Sequence, residues 1–192
     1  MARTPSKEAH DKVLRAALRL IGDRGIEATS MDAIAAESGV SKATVYKHWA
    51  TKDALLLEVI GTMTEKIPEF DSGDAKADMR SFLRHVAQSR KREELGRLWP
   101  RVISYAMSNP EFAKALQHFS FAPRRNQIAG ILERAVRSGK LKRGIDPDFA
   151  MDLLIGPLMH RRFVEPEGVP PEMADRVTDY FWQVFGATNK RA

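Results

Sequence analysis

Between Ser30 and Lys52 the chain gathers groups that donate hydrogen bonds to anions or to base edges. They are the hydroxyls of Ser30, Ser41, Thr44 and Tyr46, the ammonium groups of Lys42, Lys47 and Lys52, and the imidazole of His48. Such a set supports non-covalent chemistry: cations and hydroxyls hold phosphates, and a few side chains on one short element read bases in a groove. That use requires a fixed scaffold, and the same residues predict one. Ser30 is a good N-cap for a helix from Met31 to Ser38, although Ala33 stands where a reciprocal capping box would place Glu. Ile34 and Ala35 face inward, and Gly39 supplies the left-handed residue that ends the helix. Ser41 then caps a second helix over Lys42–His48, whose small Val45 points inward while Lys42, Thr44, Tyr46, Lys47 and His48 point out. Two short helices joined by a glycine turn in this way form a helix-turn-helix, with the second as the recognition helix for DNA.

Composition sets the wider bounds. The 192 residues are 43% hydrophobic and 29% charged, enough for one or two globular domains. The absence of cysteine removes disulfides and thiolate metal sites, and fits a reducing cytoplasm. No stretch is apolar for long enough to span a membrane, and residues 1–10 lack the apolar segment of an export signal. The net charge of +6 favours a polyanionic partner. Its distribution weakens that inference: residues 1–60 hold nine Lys/Arg against eight Asp/Glu, whereas residues 61–145 hold seventeen against nine. The positions of individual cations, including Arg3 and Lys7 ahead of the first helix, therefore matter more than the total.

Apolar spacing predicts an all-α protein. A first helix runs from about Ser6 to Asp23, with Val13, Leu14, Ala17, Leu18, Leu20 and Ile21 on one face and Gly25 near its end. Thr51 caps a fourth helix, carrying Leu55, Leu56, Val59, Ile60 and Met63 toward Pro68. Beyond the linker at 70–75, a stripe of Met79, Phe82, Leu83 and Val86 opens a second helical body. Leu95, Leu98, Trp99, Val102, Ile103 and Met107 form the next stripe, stopped at Asn109-Pro110. Phe112, Leu116 and Phe119 mark a short helix that Pro123 divides from one ending at Ser138-Gly139. Asp146-Pro147 opens a helix that Gly156-Pro157 should kink, and Pro170-Pro171 starts the last helix. Large apolar groups on these final two helices, Phe149, Leu153, Leu154, Leu158, Tyr180, Phe181 and Val184, exceed what a surface helix needs and suit pairing with a second copy.

In the middle region, Trp99, Tyr105, Phe112, Phe119 and Phe121 admit two readings. Aromatic stripes at helical spacing usually form core, and they also line small-molecule pockets; Arg101, His118 and the Arg124-Arg125 pair either orient an anionic ligand there or, as charges more often do, form a solvated basic face. No histidine spacing suggests a metal site, and no cofactor is expected. A helical enzyme is a poor alternative, since Gly-x-Ser-x-Gly, phosphate-loop, dinucleotide and His-Glu-x-x-His patterns are all missing. A nonspecific DNA-coating protein is a further alternative, separable by its lack of site preference at fixed salt.

The string Thr29-Ser30-Met31, Ile34-Ala35, Gly39-Val40-Ser41, Thr44-Val45-Tyr46-Lys47-His48-Trp49 and Lys52-Asp53-Ala54-Leu55 resembles the amino-terminal signature of the tetracycline-repressor (TetR) family over roughly residues 10–57. Trp49 stands where that family more often has Phe, and Ala43 where Gly or Pro is common. Gly139-Lys140-Leu141 ahead of Asp146-Pro147, and Leu154-Ile155-Gly156-Pro157-Leu158, are similar to a subgroup with a divergent carboxy-terminal domain. The resemblance implies a DNA-binding domain over 1–52 and a ligand-binding and dimerisation domain over 53–192, bridged by the fourth helix. It further implies about nine helices, and a homodimer that represses from a palindromic operator until a small molecule releases it. On its pattern, Lys42, Ala43 and Thr44 are candidates for base edges. Thr44 is equally a candidate for phosphate, as are Tyr46, Lys47, His48, Lys52 and the helix cap Ser30, with the cap Ser41 also in the DNA-binding set and Arg3 and Lys7 reaching backbone or minor groove.

Overall fold

The computed structural model describes residues 5–63, 67–88, 92–165 and 168–187, and among these are ten α-helices. The helices fall into two compact units that interleave along the chain: Met1–Glu65 with Lys91–Ser120, and Lys66–Arg90 with Phe121–Ala192. The linear division at residue 52 thus differs from the division by contact.

In the first unit α1 (Pro5–Arg24) extends the predicted helix by a residue at each end. It buries Val13, Leu14, Ala16, Ala17, Leu20 and Ile21. Opposite it, α4 (Lys52–Met63) buries Leu55, Leu56, Val59 and Ile60, and begins where the Thr51 hydroxyl accepts from the Ala54 amide at 3.1 Å. Each buried Val, Leu or Ile contributes about 1.5–3 kcal/mol by leaving water, so the two helices form a frame for the shorter ones. Between them in the chain come α2 (Met31–Ser38) and α3 (Lys42–His48), with the boundaries the caps predict.

The same unit holds α6 (Arg92–Ser108) and α7 (Pro110–Leu116). The α6 stripe is narrower than predicted. Leu98, Val102 and Ala106 are buried at four-residue intervals, whereas Ile103 is exposed and Met107 is 81% exposed. Pro100 sits inside α6 on its outer side, where its missing N–H leaves the helix to be held by packing of the opposite face. After α7 the chain does not break at Pro123. A π-helical turn, Gln117–Phe121, leads into α8 (Ala122–Arg137), and Pro123 falls in its first turn, where a proline N–H is not needed. Phe112 and Leu116 are buried as the spacing predicts, but Phe119 is half exposed.

The second unit packs α5 (Ala75–Gln88), α8, α9 (Pro147–Val164) and α10 (Met173–Phe185) around Met79, Phe82, Leu83, Ile128, Ile131, Leu154, Leu158 and Phe181. Asp78, a buried acid on α5, accepts from the Ser72 amide at 2.9 Å, the Ser72 hydroxyl at 2.7 Å and Arg134 at 3.1 Å. Burial by itself would raise this carboxyl, but the Ser72 donors and Arg134 outweigh that and hold it below its ordinary value. At the end of α8, Gly139 adopts φ 69° and the Lys140 amide reaches back to the Ala135 carbonyl at 2.8 Å, a Schellman-type stop. Asp146 caps α9 through the Asp148 and Phe149 amides. The last helix starts at Met173, after a turn in which the Met173 amide donates to the Pro170 carbonyl at 3.0 Å, two residues later than Pro170-Pro171 suggests. Among the described residues no helix is long and apolar enough to cross a membrane.

Candidate DNA-binding site

The recognition element is assembled by local chemistry. The Ser30 hydroxyl accepts from the Ala33 amide at 3.1 Å, so the cap is single, as Ala33 dictates. Gly39 closes α2 at φ 68°, a conformation that any side chain would strain. The Ser41 hydroxyl accepts from the Thr44 amide at 3.3 Å and shares a 2.8 Å bond with the Thr44 hydroxyl. Val45 is wholly buried and Trp49 nearly so, which fixes the rotation of α3 about its axis. Ser41, Lys42, Ala43, Tyr46, Lys47 and His48 consequently lie on its exposed side, Thr44 is half-buried, and Ser30 is exposed at the start of α2.

Lys42 and Tyr46 share a carboxylate partner. The Lys42 ammonium donates to Asp32 Oδ2 at 2.6 Å, and Asp32 Oδ1 lies 3.5 Å from the Tyr46 hydroxyl. The hydrogen bond and charge of Asp32 raise the Lys42 pKa, keeping it a cation. Asp32 occupies the first turn of α2, where the helix dipole favours a carboxylate.

Lys52 is turned inward. Its ammonium donates to the Ile26 carbonyl at 2.9 Å and sits 5.4 Å over the Tyr105 ring. It thus anchors the turn between α1 and α2, a role in the fold beside the phosphate contact expected of it. Trp49 is core, and its indole N–H donates to Glu58 Oε2 at 2.7 Å. The other Glu58 oxygen meets His10 Nε2 at 2.8 Å, and the His10 ring lies 4.8 Å from Trp49 and 5.8 Å from His48. Glu58 and Asp32 are missed by reading the sequence, because their partners are nine or more residues away and meet them only through helix crossing. Lys7 is exposed on α1, and Arg3 lies outside the described residues.

The residues expected to line a ligand pocket differ in burial and in partners. Arg101 Nη1 donates to the Ile21 carbonyl at 2.8 Å and to that of Gly22, satisfying the end of α1. Tyr105, one turn later, donates to Asp53 at 2.8 Å; burial first, then this bond and the charges of Asp53 and Glu27, push its hydroxyl up to about 12. Both residues edge a groove of about 420 Å³ with Ile26, Glu27 and Ser104. Phe112 is buried edge-on to Tyr105 at 5.1 Å and belongs to the core. Trp99 and Phe121 are half-buried, while His118 and Phe119 are exposed. The Phe119 ring lies so close to Gly61 of α4 that a Cβ there would come within 2.9 Å of it.

The expected pairing surface also separates into two groups. Phe149, Leu153, Tyr180 and Val184 are exposed, at 56%, 39%, 62% and 58%. Leu154, Leu158 and Phe181 are instead buried in their own unit and offer no surface to a partner.

Residues 13–59 match the family of bacterial regulatory proteins called tetR, and residues 69–181 match the tetracyclin repressor-like C-terminal domain. The second match alone covers more than half of the chain. The chain belongs to the TetR family. It is 29% identical over 168 residues to the uncharacterized HTH-type transcriptional regulator YdeS of Bacillus subtilis (strain 168), covering 87% of this chain and 84% of that one. Over 84 residues it is 36% identical to the HTH-type transcriptional repressor Rv3405c of Mycobacterium tuberculosis, covering 43% and 45%. Its fold superimposes on the flavonoid-responsive regulator FrrA with TM-score 0.71 at 25% identity, over 95% of this chain and 99% of that one. This TetR-family chain is therefore a DNA-binding transcriptional regulator and not an enzyme.

Proposed function

We propose that the protein is a repressor that binds a palindromic operator as a homodimer and leaves it when a small molecule binds. The observation that carries this is the exposed face of α3, held in one orientation by the buried Val45 and the Ser41 cap. Lys42, Ala43 and Thr44 read base edges, with the Lys42 ammonium suited to guanine O6 and N7 and the Ala43 methyl to thymine. Ser30, Ser41, Tyr46, Lys47 and His48 hold phosphates and set register. Lys52 acts from inside, keeping the turn at Ile26 in place. One seven-residue helix touches few bases, so useful specificity needs two, about 34 Å or a multiple apart. The exposed Phe149, Leu153, Tyr180 and Val184 supply the pairing surface.

Repression is supported by the name of Rv3405c, and small-molecule release by that of FrrA. Within the first unit α4 is held near its start by Asp53 to Tyr105 and touched near its end by Phe119 at Gly61. An effector that shifts α6 or the π turn would move α4 and with it the recognition helix. Preference of the effector for the released state by about 1–3 kcal/mol would weaken operator binding roughly 5- to 150-fold. Competitive binding to single-base variants of the preferred duplex tests the residue roles. Lys42→Ala should lose about 1–3 kcal/mol of discrimination at specific positions. Lys52→Ala should weaken binding without changing the salt slope. Uniform weakening by Lys42→Ala, with unchanged preference, would contradict the base-reading role.

A further inference from the structure

We infer that Asp32 is a specificity-determining residue that steers Lys42 away from phosphates and toward uncharged base edges, an inference that rests on Lys42 being a DNA contact. The carboxylate stands among the proposed DNA-contacting groups, with one oxygen 2.6 Å from the Lys42 ammonium and the other 3.5 Å from the Tyr46 hydroxyl. It is not needed to build the fold: Asp32 and Lys42 are both more than half exposed at their side chains, and the buried residues of α2 are Met31, Ile34 and Ala35. A negative charge there works against any partner that offers only phosphates, because a phosphate taking Lys42 must approach Asp32 as well. A guanine edge carries no net charge. The ammonium has three donors, so it can keep its bond to Asp32 while giving others to O6 and N7. The same carboxylate is thus repelled by nonspecific duplex and tolerated on the correct site, which widens the ratio between the two. Exposed ion pairs of this kind are weak enough to exchange on binding.

The experiment compares dissociation constants and salt slopes for the wild type, Asp32→Asn, Asp32→Glu, Lys42→Ala and Asp32→Asn/Lys42→Ala. Each is measured on the duplex recovered by selection and on a scrambled duplex of equal length. Asp32→Asn should tighten binding to the scrambled duplex about five-fold, with a slope steeper by about one phosphate contact, and change binding to the selected duplex less. The specificity ratio then falls. Asp32→Glu should keep the ratio near that of the wild type, and the Asn effect should disappear on the Lys42→Ala background. Glu111→Gln, which removes an exposed carboxylate on α7, should leave the ratio unchanged. A ratio unmoved by Asp32→Asn would overturn the inference. So would an equal effect of Glu111→Gln, or weakened operator binding with preference lost at one base pair, which would make Asp32 a base reader. If Lys42→Ala itself affects neither duplex, the underlying assignment of Lys42 fails instead.

Discussion

Tyr105 shows how a residue legible as an aromatic in a stripe takes its role from distant partners. Its hydroxyl bonds Asp53 on α4 and its ring lies under the Lys52 ammonium, so it holds the start of α4 from α6. Because its pKa is raised from 10 to about 12, the folded state retains a proton that the unfolded chain releases first. The stability from this bond is complete below pH 10 and lost as pH rises toward 12. Denaturant unfolding of the wild type should therefore fall more steeply over that window than that of Tyr105→Phe, which at neutral pH should be less stable by about 1 kcal/mol. Parallel pH profiles would remove the bond from the stabilising set. The Ser30 and Ser41 caps were legible because a cap and its amide lie within three residues. The inward turn of Lys52 to Ile26 and the Arg101 bonds to α1 were not, since 26 and about 80 residues separate the partners.

Helices α1 to α3 and the start of α4 were legible almost to the residue, because apolar spacing, caps and the Gly39 turn all act locally. At Gly39, with φ 68°, an added Cβ would meet no atom within 4 Å, so substitution there strains the backbone without a clash. Gly39→Ala should cost about 1–2 kcal/mol, read as a lowered denaturation midpoint, and Gly39→Asn less. Equal stability of Gly39→Ala would show that the turn relaxes. Further along, Pro100 inside α6 and the π turn before Pro123 depart from what local rules suggest. In both places the helix continues because flanking residues, Leu98 and Val102 in one case and Leu116 and Ile128 in the other, are buried. Periodicity also could not decide which members of a broad stripe face inward, and so it placed Ile103 and Met107 with Leu98.

The all-α architecture followed from helical spacing along nearly the entire chain, but the interleaving of its two units did not. Sequence order puts α5 next to α4, whereas contacts place α6 and α7 in the unit of α1–α4 and α5 in that of α8–α10. Such pairings depend on complementary faces across 30 or more residues, as in the ion pairs of Arg80 with Asp179 and Arg84 with Asp175. For the pairing of two copies, the exposed Phe149 and Tyr180 make a specific test. Phe149→Glu/Tyr180→Glu should sediment as a folded monomer and lose most operator affinity, since each recognition helix then binds alone. A dimer of unchanged strength would move the interface elsewhere.

The most direct measurement is selection of bound duplexes from a random DNA pool at physiological salt. Recovery of one palindrome whose half-sites are about one helical turn, or a multiple of it, apart is the expected result, with at least ~10³-fold preference over random duplex. A folded dimer that binds all duplexes equally would contradict a sequence-specific role for the α3 face.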